Sequence, residues 1–312
     1  MQSTDELFNF GYRRALYRAY TDGFLRNASC TRDSAIVCGA AKYIDADGVK
    51  SRLLELLGTL AKNNSDDDID GRLYVACGVI DYAEFTHDYA FLDECVQNSD
   101  KYNATTVAKL CLEAALTALC RSAHCDTVKE TVRYRQIIDI MRYFGNGSNN
   151  SERLRICINK AVYKYAQNLK SIKYIVYKTD NVFETLEYAF LLFRSGEYGG
   201  AYGALQRGMR ALLNKEGTVA ELALFYTLVT QQFLGVSFAG ERMRICPRLA
   251  RNIGDIRFDV NTEKGNAHIA IDNSVSEGDW MMRVDNISYC SGSISINKQE
   301  EKTIVFKRNG KS

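Results

Sequence analysis

From residue 5 to about 238, apolar side chains recur every three or four positions, the spacing of one face of an α-helix. Leu7, Phe10, Leu16 and Tyr20 show the pattern, and Val49, Leu53, Leu56, Leu57 and Leu60 repeat it. Polar and glycine-rich breakers interrupt it at 63–68, 98–100, 145–150 and 196–200. The runs between them predict helices near 5–24, 33–43, 48–62, 71–86, 88–97, 104–122, 126–143, 151–168, 181–194, 198–213 and 218–233. These are helix pairs of similar length with short connections and no exact period. A ring of alternating inner and outer helices explains the pairing, and a superhelical stack explains it nearly as well. After Gly235 the period drops to two. Runs at 242–246, 255–260, 267–271, 280–284, 293–296 and 302–306, rich in β-branched residues and separated by Asn, Gly and Asp, predict antiparallel strands. The chain therefore divides into a helical domain, 1–238, and a C-terminal β-domain, 239–312.

Composition narrows the picture. The 312 residues are 46% hydrophobic and 25% charged, an ordinary globular balance with room for one large and one small domain. A net charge of +2 argues against nucleic acid or an anionic membrane as partner. The start, Met1-Gln2-Ser3-Thr4-Asp5-Glu6, has no basic or apolar segment of a secretory signal, and no apolar run is long enough to span a membrane, so a cytoplasmic protein is expected. Ten cysteines without a C-x-x-C pair, mostly in helical runs (Cys77, Cys111, Cys120, Cys157), read as small buried hydrophobes kept reduced. Cys120, His124 and Cys125 lie close together but lack a second ligand pair at metal spacing, so no metal and no cofactor is expected. A single proline lets helices run unkinked.

Four stretches, in order, carry a family resemblance. Thr31-Arg32-Asp33-Ser34-Ala35 opens a helix, with Leu53-Leu54-Glu55-Leu56-Leu57 following. The run from Asp70-Gly71-Arg72-Leu73-Tyr74 to Asp81-Tyr82 leads into Asp88-Tyr89-Ala90-Phe91-Leu92-Asp93-Glu94. Asn181-Val182-Phe183-Glu184-Thr185 precedes Gly196-Glu197-Tyr198-Gly199-Gly200. Phe233-Leu234-Gly235-Val236 precedes Arg242-Met243-Arg244-Ile245-Cys246-Pro247. Together they resemble the barrel and C-terminal β-domain of the inverting cellobiose and chitobiose phosphorylases. The resemblance implies a mainly α fold, an (α/α)6-barrel-like helical toroid of six-hairpin type followed by a small antiparallel β-domain.

It also exposes losses. The family's catalytic acid sits in an Asp-Trp-Asn-Asp loop; here 104–122 passes through His124-Cys125-Asp126 straight into the next helix, and the only tryptophan is Trp280. Of the family's phosphate loop only Lys178-Thr179-Asp180-Asn181 remains, and its N-terminal β-sandwich is absent. Inverting cleavage needs a carboxylic acid on the leaving oxygen and a nucleophile on the opposite ring face. No residue is assigned as catalytic.

Substrate contact is expected of Arg32, Asp33, Asp70, Tyr74 and Glu184. Asp33 suits a sugar hydroxyl, with Arg32 as its partner, and equally suits a helix N-terminus. Asp70 closes the run Asp66-Asp67-Asp68, which has no downstream Glu to complete a Ca²⁺ loop and reads as solvated loop and cap. Tyr74 stands where the family favours tryptophan. Glu184 is a surviving acid or an ordinary first-turn glutamate. His87 and His124 have no nucleophile partner. Tyr163, Tyr165, Tyr174 and Tyr177, interleaved with Lys, read as a packed helix face rather than a nucleic-acid platform. Three functions follow as expectations. One is a catalytically impaired, glycosidase-like pseudoenzyme binding an oligosaccharide or sugar phosphate, or docking a protein partner or a separately encoded N-terminal domain. The others are an active β-glucoside phosphorylase or hydrolase with a relocated acid, and a non-enzymatic helical scaffold with a filled centre.

Overall fold

A computed structural model describes residues 6–26, 30–62, 68–96, 101–121, 127–144, 152–172, 174, 179–215, 217–239, 242–250, 253–262, 265–274, 280–285, 287–289, 293–295 and 300–308. Among them ten α-helices precede eight strands: α1 (Glu6–Arg18), α2 (Thr31–Ala41), α3 (Ala46–Lys62), α4 (Ile69–Thr86), α5 (Ala104–Arg121), α6 (Thr127–Phe144), α7 (Glu152–Ile172), α8 (Val182–Ser195), α9 (Tyr198–Lys215) and α10 (Val219–Thr227). Wider π-helical segments, Ala19–Phe24 and Leu228–Phe233, prolong α1 and α10.

Side chains set the helix limits. Asp68 starts α4 by accepting the Gly71 N–H at 2.8 Å, and His87, in the left-handed region at φ 63°, ends it. Asn181 caps α8 and Gly196, at φ 85°, closes it. Thr218 and Glu221 form a reciprocal capping box on α10. One predicted helix does not form. Residues 88–97 were expected to be helical, but only a 3₁₀ turn, Ala90–Asp93, appears. Beyond it the Val96 N–H turns back to the Tyr102 carbonyl at 3.0 Å and Ala104 N–H reaches Glu94 at 3.1 Å. The backbone groups that would have continued a helix are spent on that pairing. The described helices thus make five pairs rather than the six expected of an (α/α)6 barrel.

The even-numbered helices pack in succession: α2 on α4, α4 on α6, α6 on α8, α8 on α10, and α10 back on α2. The odd-numbered helices from α3 to α9 each lie against both even neighbours, as α3 does on α2 and α4, and α1 lies against α10. The even helices run in one sense. Arg133 early in α6 reaches Asp70 at the start of α4, and Gln231 beyond α10 reaches Asp81 late in α4.

The strands begin at β1 (Val236–Ala239), followed by β2 (Arg242–Ile245), β3 (Ile256–Thr262), β4 (Gly265–Asp272), β5 (Trp280–Val284), β6 (Ile287–Tyr289), β7 (Ser293–Ser295) and β8 (Glu300–Arg308). They form a three-stranded sheet, β1-β2-β7, and a five-stranded sheet, β3-β4-β8-β5-β6. The expected antiparallel pairing holds for every pair but one: β4 and β8 are parallel, with Ile269 opposite Ile304. Alternate residues turn inward along β2, where Met243 and Ile245 are buried between exposed Arg242 and Arg244. One buried cluster joins Phe8, Leu186 and Phe233 of the helices to Ile271, Met282 and Phe306 of the sheet, and a second lies within α2–α7. Among the described residues no helix is long and apolar enough to cross a membrane.

Candidate functional site

The even helices surround a cavity of about 550 Å³. Small residues open it: Ala35 and Gly39 on α2 and Gly78 on α4 line the wall, and a Cβ on Gly39 would meet Thr227 of α10 and Asp81 of α4. Apolar Ile36, Val132, Phe190, Leu224 and Leu228 make the rest of the surface. Into it project four carboxyl groups, Asp81, Glu84, Asp139 and Glu187, with Gln136, Gln231 and Gln232, and two guanidinium groups, Arg142 and Arg194.

At the end where the even helices begin, the wall is sealed by side-chain pairs. Asp70 accepts from Arg133 at 2.6 Å and faces Lys129 at 3.2 Å. Burial opposes its charge, yet Arg133 and Lys129 together hold its carboxyl below the usual range. The Tyr74 hydroxyl donates to Glu187 across the start of α6 at 3.3 Å. Arg32 binds Asp33 at 3.1 Å and lays its guanidinium 4.7 Å from the Phe183 ring, which meets Tyr74 edge-on. Glu187 is the inner member of this layer, only 6% exposed. Burial first, and then the field of Asp70, push its carboxyl up to about 8, against the pull of Lys129, Tyr74 and Arg32. Glu187 thus presents a protonated carboxyl to the cavity at neutral pH.

The opposite end is open. The side chains of Asp81 and Asp139 are 34% and 37% exposed there, and Arg142 is exposed. Buried Lys42, just past the end of α2, pairs with Asp81, whose other oxygen accepts from Gln231 at 3.0 Å. Asp139 is bound by Arg135, one turn earlier on α6, at 2.6 Å. Burial, together with Asp81 and Asp139, raises the Glu84 carboxyl.

The expected residues divide. Arg32, Asp33, Asp70 and Tyr74 gather in one layer at the starts of α2 and α4, but only Tyr74 reaches the cavity wall. Glu184 turns away from it: its carboxylate accepts from Thr179 Oγ1 at 2.8 Å, within the N-terminal turn of α8. His87 ends a helix; of the tyrosines expected as a packed face, Tyr165 packs against the core with Arg135 over its ring at 5.9 Å, whereas Tyr163 and Tyr174 are exposed. Asp66, Asp67, His124, Cys125, Tyr177 and Lys178 lie outside the described residues. Among those described, no group of three or more His, Cys, Asp or Glu side chains is arranged to hold a metal ion.

No protein-family model matches the chain, and no curated protein matches it either.

Sequence reasoning missed Glu187, Asp81, Asp139 and Arg194. Each is a polar residue set in an apolar helical run, as in Thr185-Leu186-Glu187-Tyr188-Ala189. Such an interruption on a buried stripe needs either a partner or a cavity, and that was the signal available.

Proposed function

We propose that the helical part is a toroid of five α-hairpins whose central cavity binds a carbohydrate. The observation that carries this reading is the cavity itself: four carboxyl groups and three glutamines set among apolar walls. Its volume lies within the range of about 300–1,000 Å³ typical of small-molecule sites. Carboxylates and side-chain amides accept and donate to neighbouring hydroxyls, and flat apolar surface such as Phe190 suits the C–H face of a sugar ring. A filled scaffold would leave no such space. Thermal shift against β-linked disaccharides, monosaccharides and sugar phosphates tests the proposal. Stabilisation by at least one sugar is expected, and the absence of any shift across the panel would sink it.

A second reading, acid-catalysed glycoside cleavage, is favoured by the placement of Glu187, a buried carboxyl on the cavity wall whose pKa burial and the field of Asp70 push up to about 8. Protonation of a leaving oxygen is the step for which the family resemblance leaves no residue in its usual place. In this reading Glu187 is the relocated acid and Tyr74 positions it. Release of reducing sugar or sugar 1-phosphate from disaccharides, with and without phosphate, tests it. Turnover that disappears in Glu187→Gln is expected, and turnover unchanged in that variant would remove the assignment.

A further inference from the structure

Arg194 is in the last turn of α8, where a cation is favoured by the helix dipole and is ordinarily solvated. This one is not. Its Nε is buried and has no hydrogen-bond acceptor, although the side chain lines the cavity. Among the described residues no carboxylate lies within ion-pairing distance of it. The nearest candidate, Asp139, is held by Arg135 instead. Its guanidinium lies 5.3 Å from the Phe190 ring of its own helix. Arg135 and Arg248 add further positive field on the same side, and Arg248 is engaged with Gln232 at 2.7 Å. Burial first, with those two guanidinium groups and against the attraction of Asp139, lowers Arg194 to about 10, so it stays charged at neutral pH. A second buried polar atom on the cavity wall, Thr227 Oγ1 on neighbouring α10, also lacks a partner.

A partly buried guanidinium whose Nε has no acceptor on a cavity wall suits an incoming anion, which would add to the attraction of Asp139. The acids face it from the other wall: Asp81 and Glu84 on α4, with Asp139 between, suit hydroxyl donors. We propose that the open end of the cavity is an oxyanion subsite, in which Arg194 takes the carboxylate or phosphate of an acidic sugar while the α4 carboxyl groups take its hydroxyls. Planar N–H pairs of arginine match either oxyanion in a forked geometry. This deepens the carbohydrate reading and rests on it for the sugar, though not for the anion.

Calorimetric titration with glucose, glucuronate, glucose 6-phosphate and inorganic phosphate separates the parts. The wild-type protein is expected to hold glucuronate or the sugar phosphate about 10–100-fold more tightly than glucose, as for a hydrogen bond to a charged group. Which of the two binds tighter identifies the oxyanion. Arg194→Gln is expected to abolish that preference and leave glucose within about twofold, with Arg194→Lys retaining part of it. Equal affinity of wild type for glucose, glucuronate and glucose 6-phosphate, or a preference surviving Arg194→Gln, overturns the subsite and leaves the sugar cavity standing. Arg194-dependent binding of phosphate with no binding of glucose or disaccharides upholds the subsite and removes the carbohydrate reading. No binding of any of the four overturns the subsite, and with no disaccharide binding either it overturns both.

Discussion

Glu187 lies about one helical turn beyond Glu184, far enough along α8 to reach the cavity wall, whereas Glu184 stays at the helix cap. The difference is measurable as a pH dependence of stability. With an ordinary value of 4.5 in the unfolded chain and about 8 in the folded one, Glu187 keeps its proton on folding throughout that window. Unfolding then releases a proton, so stability falls as pH rises, by at most about 1.4 kcal/mol per pH unit from this group. Denaturant titrations at about pH 5.5 and about pH 7.5 should show Glu187→Gln losing less stability than wild type over that interval. Identical losses would show that the carboxyl titrates normally. Glu184→Gln leaves the cavity intact and should change sugar affinity by less than about twofold, within the effect of a surface change of about 0.5 kcal/mol. Asp70→Asn removes the counter-charge of Arg133, itself 13% exposed, and should destabilise by about 1–3 kcal/mol in the same titrations.

At the scale of elements, the passage from helix to sheet depends on one residue. Gly235 has φ +71°, and a Cβ there would collide with the carbonyl of Cys246, whose N–H bonds back to Gly235 at 3.0 Å. Gly235→Ala combines left-handed strain with that collision and should lose more than about 1–3 kcal/mol in chemical denaturation. A loss under half a kilocalorie would mean that the turn relaxes freely. By contrast, the α10 cap is local. Thr218→Ala removes one side of a capping box and should cost about 1 kcal/mol, with the fold kept. The failed helix at 88–97 has the same kind of cause: its apolar spacing suited a helix, but pairing of 94–96 with 102–104 used the backbone first.

For the whole molecule, the closing contact of α10 on α2 brings distant chain segments together, and the cluster from Phe8 to Phe306 ties helices to sheet. Shared burial of this kind makes helices and sheet unfold together. Trp280, the only tryptophan, sits in β5 and packs against that cluster, so its fluorescence reports the sheet while far-ultraviolet circular dichroism reports the helices. The two denaturation curves should coincide. A sheet transition well separated from the helical one would show that the halves are energetically independent.

Periodicity alone determined the helices and most strands, because the 3.6- and 2-residue patterns and the capping side chains are local properties of the chain. Val49, Leu53, Leu56, Leu57 and Leu60 mark one face of α3 whatever surrounds it. The charged and aromatic residues at the helix starts, Arg32, Asp33, Asp70 and Tyr74, were legible as candidates, but not that only Tyr74 lines the cavity. Three things needed the tertiary structure. The parallel pairing of β4 with β8 joins segments far apart in sequence, and alternation is the same for either direction. The short strands β1 and β6 offered too few residues for a pattern to register. The cavity depends on where five separate helices place their small residues, Ala35, Gly39 and Gly78 among them, and on which polar atoms then remain without partners. A lone Glu187 or Arg194 in an apolar run looks the same in sequence whether it is satisfied by a neighbour or directed into empty space. Only the packing distinguishes a structural side chain from one that awaits a ligand.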